Sequence, residues 1–349
     1  MQVPPSVVES RAAWRSGDLV VGEWVRVLQI SEIAEIDQAA RSLAARDIDL
    51  VDTRTDDFPL PRLGPRLQDL LRSEVLGGRG FAVIRGLDPS ALNRREIAAA
   101  FLGLGAHLGA ARPQNGRGHI LGHVKDLGRS SDDPAVRLYQ THERQTYHTD
   151  SCDVVALMCL QPAKIGGRSS LVSSVTLYNE MRRLRPDLAL TLFEPIQTDR
   201  RDEVGEGQRP YFNIPVFNWH AGHFAGMYQR QYIASARRFP DVPALTATQI
   251  EALDLLDRLA EDPSLHVQTE FVSGDIQLVN NHVLLHDRTA FDDWPEPERR
   301  RHLLRLWLAP RGAQPLPAIF SERFGSVTPG SRGGVSVPRE QWTAPLDAI

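Results

Sequence analysis

The sequence predicts a mainly β, antiparallel fold with helical insertions (α+β), and three observations carry that expectation. After about residue 118, short β-rich runs follow one another, separated by Gly, Pro, Asn or Asp. Few of them are joined by the helix-length crossovers that parallel strands require. The strand-like runs extend from roughly 80 to 310 without a linker, so a single domain over 1–349 is expected, with its core at about 80–310. Among such architectures a jelly-roll barrel comes first.

Residues 1–30 read as an irregular leader that Trp14 and Trp24 pin down. The apolar spacing of SEIAEIDQAARSLAAR predicts a helix over 31–46, and PRLGPRLQDLLRSEVLGGRG a helix over 61–80 ended by glycines. FAVIRG (81–86) reads as a buried strand. ALNRREIAAAFLGLGAHLG reads as the next helix, with Asn93 as its cap. The β-rich runs are GHILGHV, VRLYQ, VVALMCL, SSLVSS, YFNIPVF, HVQTEFV, IQLVNN and HLLRLWL. Helices interrupt them at 175–193 and 246–262.

Composition excludes several classes. At 42% hydrophobic and 24% charged the chain reads as globular, and a net charge of −4 gives no attraction to nucleic acid or an anionic membrane. No apolar run approaches the ~18 residues of a spanning helix, and the N-terminus has no signal-peptide pattern, so a cytoplasmic protein is expected. Nearly all positive charge is guanidinium, since Lys125 and Lys164 are the two lysines. Cys152 and Cys159, seven apart in an apolar run, read as two buried thiols. GLGAHLG (103–109) lacks the spacing of a dinucleotide loop, HERQTYH (142–148) lacks the second zincin histidine, and neither a Walker sequence nor a Gly-x-Ser-x-Gly elbow is present. Arg182, Arg183 and Arg185 read as a solvated helix face.

One constellation stands apart. In YHTDS (147–151), His148 and Asp150 are two apart, so on a strand both leave the same face. Alone, such a triplet arises by chance about once in a chain of this composition. Downstream, GDIQLVNNHVLLHDRTAFDD offers His282 and His286, which share a face, and RRRHLLRLWL offers Arg301 and Arg305, four apart. His-x-Asp, a distant His and then an Arg is the order of a two-histidine, one-carboxylate iron oxygenase. Three open positions on the metal accept a 2-oxoacid and O2, and the arginine takes the far carboxylate.

With GGRSSLV (166–172), these residues resemble the taurine/2,4-D dioxygenase (TauD/TfdA) family of Fe(II)/2-oxoglutarate enzymes, from about FAVIRG to LLRLWL. The resemblance implies a double-stranded β-helix (jelly-roll) core and the iron ligands His148, Asp150 and His286. His286 is preferred to His282 for its NNxxxLHxR context. It also implies that Arg301 binds 2-oxoglutarate, with Arg299 and Arg300 as rivals. Arg305 enters the same cavity towards cosubstrate or substrate. Ser169 hydrogen-bonds the far carboxylate, with Ser174 and Thr176 as alternatives. Tyr147 is a packing residue or a donor behind the metal, and Tyr139, Gln140, Arg144 and Gln145 lie on the segment entering the site. The implied reaction consumes Fe(II)-bound 2-oxoglutarate and O2, releases succinate and CO2, and oxidises a small, anionic organic substrate. Asp150 disfavours halogenation, which needs that position vacated. The partners expected are a small molecule and a possible second copy of the chain, with neither nucleic acid nor membrane. A metal-dependent oxygenase or hydrolase that ignores 2-oxoglutarate, and a non-catalytic jelly-roll binding module, are the competing readings.

Overall fold

A computed structural model of the protein describes residues 4–130 and 136–348. Two sheets form its centre. The larger runs in the order Val25–Val27, Phe81–Arg85, Ile276–Asn280, Val154–Gln161, His302–Ala309, Ala110–Arg112, with Gly122–Val124 also pairing to His302–Ala309. The smaller runs His266–Thr269, Ser169–Ser173, Leu284–Arg288, Gln145–His148. Every pairing in both is antiparallel except the first, Val25–Val27 against Phe81–Arg85.

Side chains alternate across a strand, so each sheet has an inner and an outer face. Phe81, Val83, Val155, Val279 and Trp307 of the large sheet meet Leu171 and Leu284 of the small one in a shared interior. The outer face of the large sheet, including Ala82, Ile84, Leu278 and Leu306, packs on the helices Ile30–Ala44, Leu63–Leu70 and Arg94–Leu108. The outer face of the small sheet, including Val172 and Leu285, packs on Ser174–Leu184, Pro186–Thr191 and Ala247–Ala260. The layers are therefore helix, sheet, sheet, helix, with apolar clusters closing all three seams.

Local chemistry places the helix ends. Asn93 accepts from the N–H groups of Arg95 and Glu96 while Glu96 reaches back to the Asn93 N–H. Thr246 and Gln249 form the same reciprocal box at the start of Ala247–Ala260. Several expectations need correction. The helix expected over 175–193 is two, because Pro186 forces Arg185 out of the helical region, to φ −146° and ψ 78°. The VRLYQ run is not a strand: Leu138–Gln140 is a 3-10 turn whose Gln140 side chain accepts the Arg137 N–H. YFNIPVF contributes two separate short strands, Tyr211–Phe212 and Phe217–His220, rather than one. The leader is also less irregular than expected, since Val25–Val27 joins the large sheet. Trp14 and Trp24 do pin it, stacking 5.7 and 5.4 Å from Phe81. Cys152 and Cys159 are free and buried. No helix among the described residues is long and apolar enough to cross a membrane.

Candidate metal centre

The small sheet presents the site in rows. His286 lies opposite His148 on one side and Leu171 on the other, and two residues along Arg288 lies opposite Ser169, itself opposite Thr269. Directly opposed residues share a face, so both imidazoles point inward. The register against Gln145–His148 slips between His286 and Arg288, where Arg288 pairs with Gln145. Four residues of one strand (145–148) thus span three of the other (286–288), a bulge that turns both Gln145 and His148 inward. Tyr147 faces outward into the apolar cluster under the small sheet, where burial pushes its phenol up.

Asp150 reaches the same side by another route than expected. The strand ends at His148, and Asp150 sits in the following loop. That loop is fixed by Thr149 N–H to the Tyr228 carbonyl at 2.8 Å and Asp150 N–H to Asn281 Oδ1 at 3.1 Å. The result brings one donor atom each from His148, Asp150 and His286 within 4.8 Å of one another, all three residues buried.

The charges suit a cation. Burial alone would push the Asp150 carboxyl up, but Arg305, the two imidazoles and the Trp307 N–H outweigh it and hold it below its ordinary range. Both protein hydrogen bonds go to Oδ2, from Trp307 Nε1 at 2.7 Å and Arg305 Nη1 at 3.2 Å, while Oδ1 lies 4.0 Å from His148 Nε2 and Oδ2 4.0 Å from His286 Nε2. Burial holds His148 below its usual value, and burial with the neighbouring His148 holds His286 down to about 3. Both are neutral bases at pH 7. The Thr146 carbonyl accepts from His148 Nδ1 at 2.8 Å, which leaves the Nε2 lone pair to face the cluster, where the Gln145 amide donates to it at 2.9 Å. His282, the sequence rival of His286, is committed elsewhere, bonded at 2.7 Å to Asp153.

A buried polar niche lies beside the cluster, between the sheets. Arg301 is 3% exposed and its Nη1 has no partner among the described residues. Burial lowers it to about 10. A Cβ on Gly167, which has φ +67°, would come within 2.8 Å of Arg301 Nε, so the glycine lets the backbone approach the guanidinium. Ser169 Oγ donates to Gln277 Oε1 at 3.0 Å in the same niche. Of the other arginines, Arg299 stacks on Trp294 at 3.5 Å and Arg300 reaches the Trp294 and Pro295 carbonyls, both exposed. Thr176 Oγ1 is taken by the Trp14 carbonyl. Arg305 stands on the other side of Asp150, held by Gln114 Oε1 at 2.7 Å and stacked 4.9 Å from Tyr139. There it lines a chamber of about 250 Å³ with Gln114, His119, Arg137, Tyr139 and Gln140. Arg144 faces away, paired with Asp287 and Glu261.

Sequence reasoning missed Trp307, Gln114, Gln277, Thr269 and Arg288. The alternation of HLLRLWL puts Trp307 on the face of Arg305, a signal that was available; the others depend on register.

Residues 42–307 match the family described as "Taurine catabolism dioxygenase TauD, TfdA family". The chain belongs to it. As a TauD/TfdA-family dioxygenase it uses Fe(II), 2-oxoglutarate and O2 and acts on a small molecule. It is 29% identical over 329 residues to FR-33289 synthase of Streptomyces rubellomurinus (strain ATCC 31215), covering 91% of this chain and 95% of that one. It is 32% identical over 306 residues to the taurine hydroxylase-like protein SAT17 of Stachybotrys chartarum (strain CBS 109288 / IBT 7711), covering 84% and 77%. In fold the TauD/TfdA chain resembles an asparagine oxygenase solved with Fe(II), 2S,3S-3-hydroxyasparagine and succinate, at TM-score 0.63 and 18% identity over 82% of this chain and 93% of that one.

Proposed function

We propose that His148, Asp150 and His286 hold the iron, that Arg301 and Ser169 receive the far carboxylate of 2-oxoglutarate, and that the chamber beside Arg305 receives an anionic substrate for hydroxylation. The observation that carries this reading is the three-residue cluster flanked by two different cationic environments, a niche of buried donors on one side and a chamber on the other. Two sheets with a common interior and antiparallel pairing support a double-stranded β-helix core, in a single domain that includes the helices on both faces.

The donor set suits Fe(II): two neutral imidazoles and one carboxylate kept ionised by its neighbours. Bound iron supplies the redox chemistry, coupling decarboxylation of 2-oxoglutarate to succinate and CO2 with oxygenation of the substrate. The protein's residues position and shield. Arg305 and Trp307 fix the orientation of Asp150, and Thr146 fixes the tautomer of His148. Arg301 offers an unpartnered Nη1 to a carboxylate that arrives in a water-poor niche, where a charge-assisted hydrogen bond is strong.

An anionic substrate follows from charges lining the chamber. Its three acids are committed: Glu203 to Arg137 and Arg323, Asp202 to Arg238, and Asp347 to Arg94. Arg137 keeps a buried Nη1 without a hydrogen-bond partner among the described residues. The test is anaerobic titration with Fe(II) and 2-oxoglutarate, followed through the weak visible charge-transfer band, then a screen of small carboxylates, sulfonates and phosphonates for stimulated succinate release. His148→Ala and Asp150→Ala should retain no iron after gel filtration and show no turnover. Robust succinate formation by either variant would sink the assignment.

A further inference from the structure

The niche around Arg301 holds a second buried cation. Arg288, 7% exposed, stands two residues beyond His286 on the same inward face and opposite Ser169 in register. Its guanidinium lies 5.0 Å from the Phe291 ring centre and that of Arg301 lies 5.1 Å from the same centre, so one ring bridges two like charges. Burial first, and then Arg301, bring Arg288 down to about 9.

Two guanidiniums buried side by side are costly without an anion between them. The nearest carboxylates, Asp287 for Arg288 and Asp293 for Arg301, attract these cations. Asp287 is paired with Arg144, however, and Asp293 accepts the Arg301 backbone N–H, and neither lies between the two guanidiniums as a salt-bridge partner among the described residues. What is missing is an acceptor. Nε and Nη1 of Arg288, Nη1 of Arg301, Nε2 of Gln277 and Oγ1 of Thr269 are all buried with no hydrogen-bond partner among the described residues. A carboxylate, with four acceptor sites on two oxygens, matches such a set of donors.

The remaining nitrogen of Arg288 has a different task. Nη2 donates to the carbonyls of Leu138, at 3.3 Å, and Glu143. These two residues bracket the segment that carries Tyr139, which stacks on Arg305, and Gln140; both line the substrate chamber. One planar guanidinium thus touches the niche with one edge and the chamber wall with the other.

Building on the proposed cosubstrate niche, we propose that Arg288 is a second cation for the far carboxylate of 2-oxoglutarate and that, through the Leu138 and Glu143 carbonyls, it links cosubstrate occupancy to the order of the 138–143 segment. The niche is then a two-arginine clamp, and the chamber wall is set by the molecule in the niche.

The test uses the full chain loaded anaerobically with Fe(II). Arg288→Gln and Arg288→Lys should each need at least ~10-fold more 2-oxoglutarate to develop the visible band, because a hydrogen bond to a charged group is worth about 1.5–3 kcal/mol. In hydrogen–deuterium exchange, 2-oxoglutarate should slow exchange of peptides covering 138–143 in the wild type and, at saturation, in Arg301→Ala. It should not do so in Arg288→Gln. Wild-type 2-oxoglutarate affinity in both Arg288 variants, or no protection of 138–143 in the wild type, overturns the proposal. Should Arg288→Gln fail to fold, Arg288→Lys and the wild-type exchange data still decide. If the wild type forms no band and no succinate, the parent assignment falls and this clamp with it; band and succinate with unaffected Arg288 variants remove the clamp alone.

Discussion

Asp150 is where the electrostatics of the site converge, and it shows how much one side chain depends on its neighbours. Buried beside two imidazoles, it stays ionised because Arg305 and the Trp307 N–H both address Oδ2. Trp307→Phe keeps most of the packing and removes that N–H. It should weaken Fe(II) retention ~10–100-fold, the usual effect of losing a group that orients a metal ligand; chelator competition measures it. At this scale the order of residue types in the sequence singled out His148, Asp150 and Arg301, and all three are buried, the first two in one cluster with His286. Arg288 was not singled out. In HDRTAF it is one more arginine in an arginine-rich chain, and its burial follows from the register with Ser169. The sequence also suggested that His148 and Asp150 share a strand face. They do meet on one side, but a loop bond to Asn281 brings Asp150 there, and no periodicity encodes that bond.

Among the elements, the strands that build the site were legible because alternation reports burial directly. VVALMCL, SSLVSS, IQLVNN and HLLRLWL correspond to Val154–Gln161, Ser169–Ser173, Ile276–Asn280 and His302–Ala309. VRLYQ failed because a local side-chain cap outweighed β propensity. The turn before Ser169 carries its own prediction. Gly167→Ala places a Cβ against Arg301 in a left-handed backbone, at a cost of about 1–2 kcal/mol from the backbone alone. The variant should melt lower and bind 2-oxoglutarate more weakly, both readable on one preparation. A second prediction concerns the end of the His302–Ala309 strand. His302 packs against His123, the ring nitrogens 2.8 Å apart. Burial first, then His123, hold His302 down to about 3, and burial lowers His123 as well. Because the folded values lie below the unfolded value near 6.5, the unfolded chain binds more protons between the two. Stability is then full above about pH 6.5 and falls as pH drops towards 3, by up to about 1.4 kcal/mol per pH unit and per group. Denaturant midpoints at pH 7.5 and pH 5 should show this, with a shallower dependence in His302→Gln.

Over the whole molecule, the site is assembled from distant chain segments. The loop carrying Asp150 touches Tyr228, Asn281, Arg305 and Trp307, and it is tied down further by the C-terminal region. Arg323 donates to Ser151 Oγ at 2.8 Å, and Arg332, fully buried, donates to both oxygens of Asp153 at 2.8 and 3.1 Å. His282 completes that knot through its 2.7 Å bond to Asp153. Arg332→Met should strand a buried carboxylate and cost about 3–5 kcal/mol, read by chemical denaturation; a loss below ~1 kcal/mol would show that Asp153 finds another partner. None of this knot was legible beforehand, because Asp153 and Arg332 are 179 positions apart and neither sits in a motif. The same long separations set an order of events during synthesis. A nascent chain that has already displayed His148, Asp150 and even His286 has not yet made Arg305, Trp307, Arg323 or Arg332, the residues that orient and anchor the carboxylate. On the proposed ligand assignment, a chain truncated before residue 305 should retain no iron after gel filtration, because the groups that hold the Asp150 carboxylate in place are then missing.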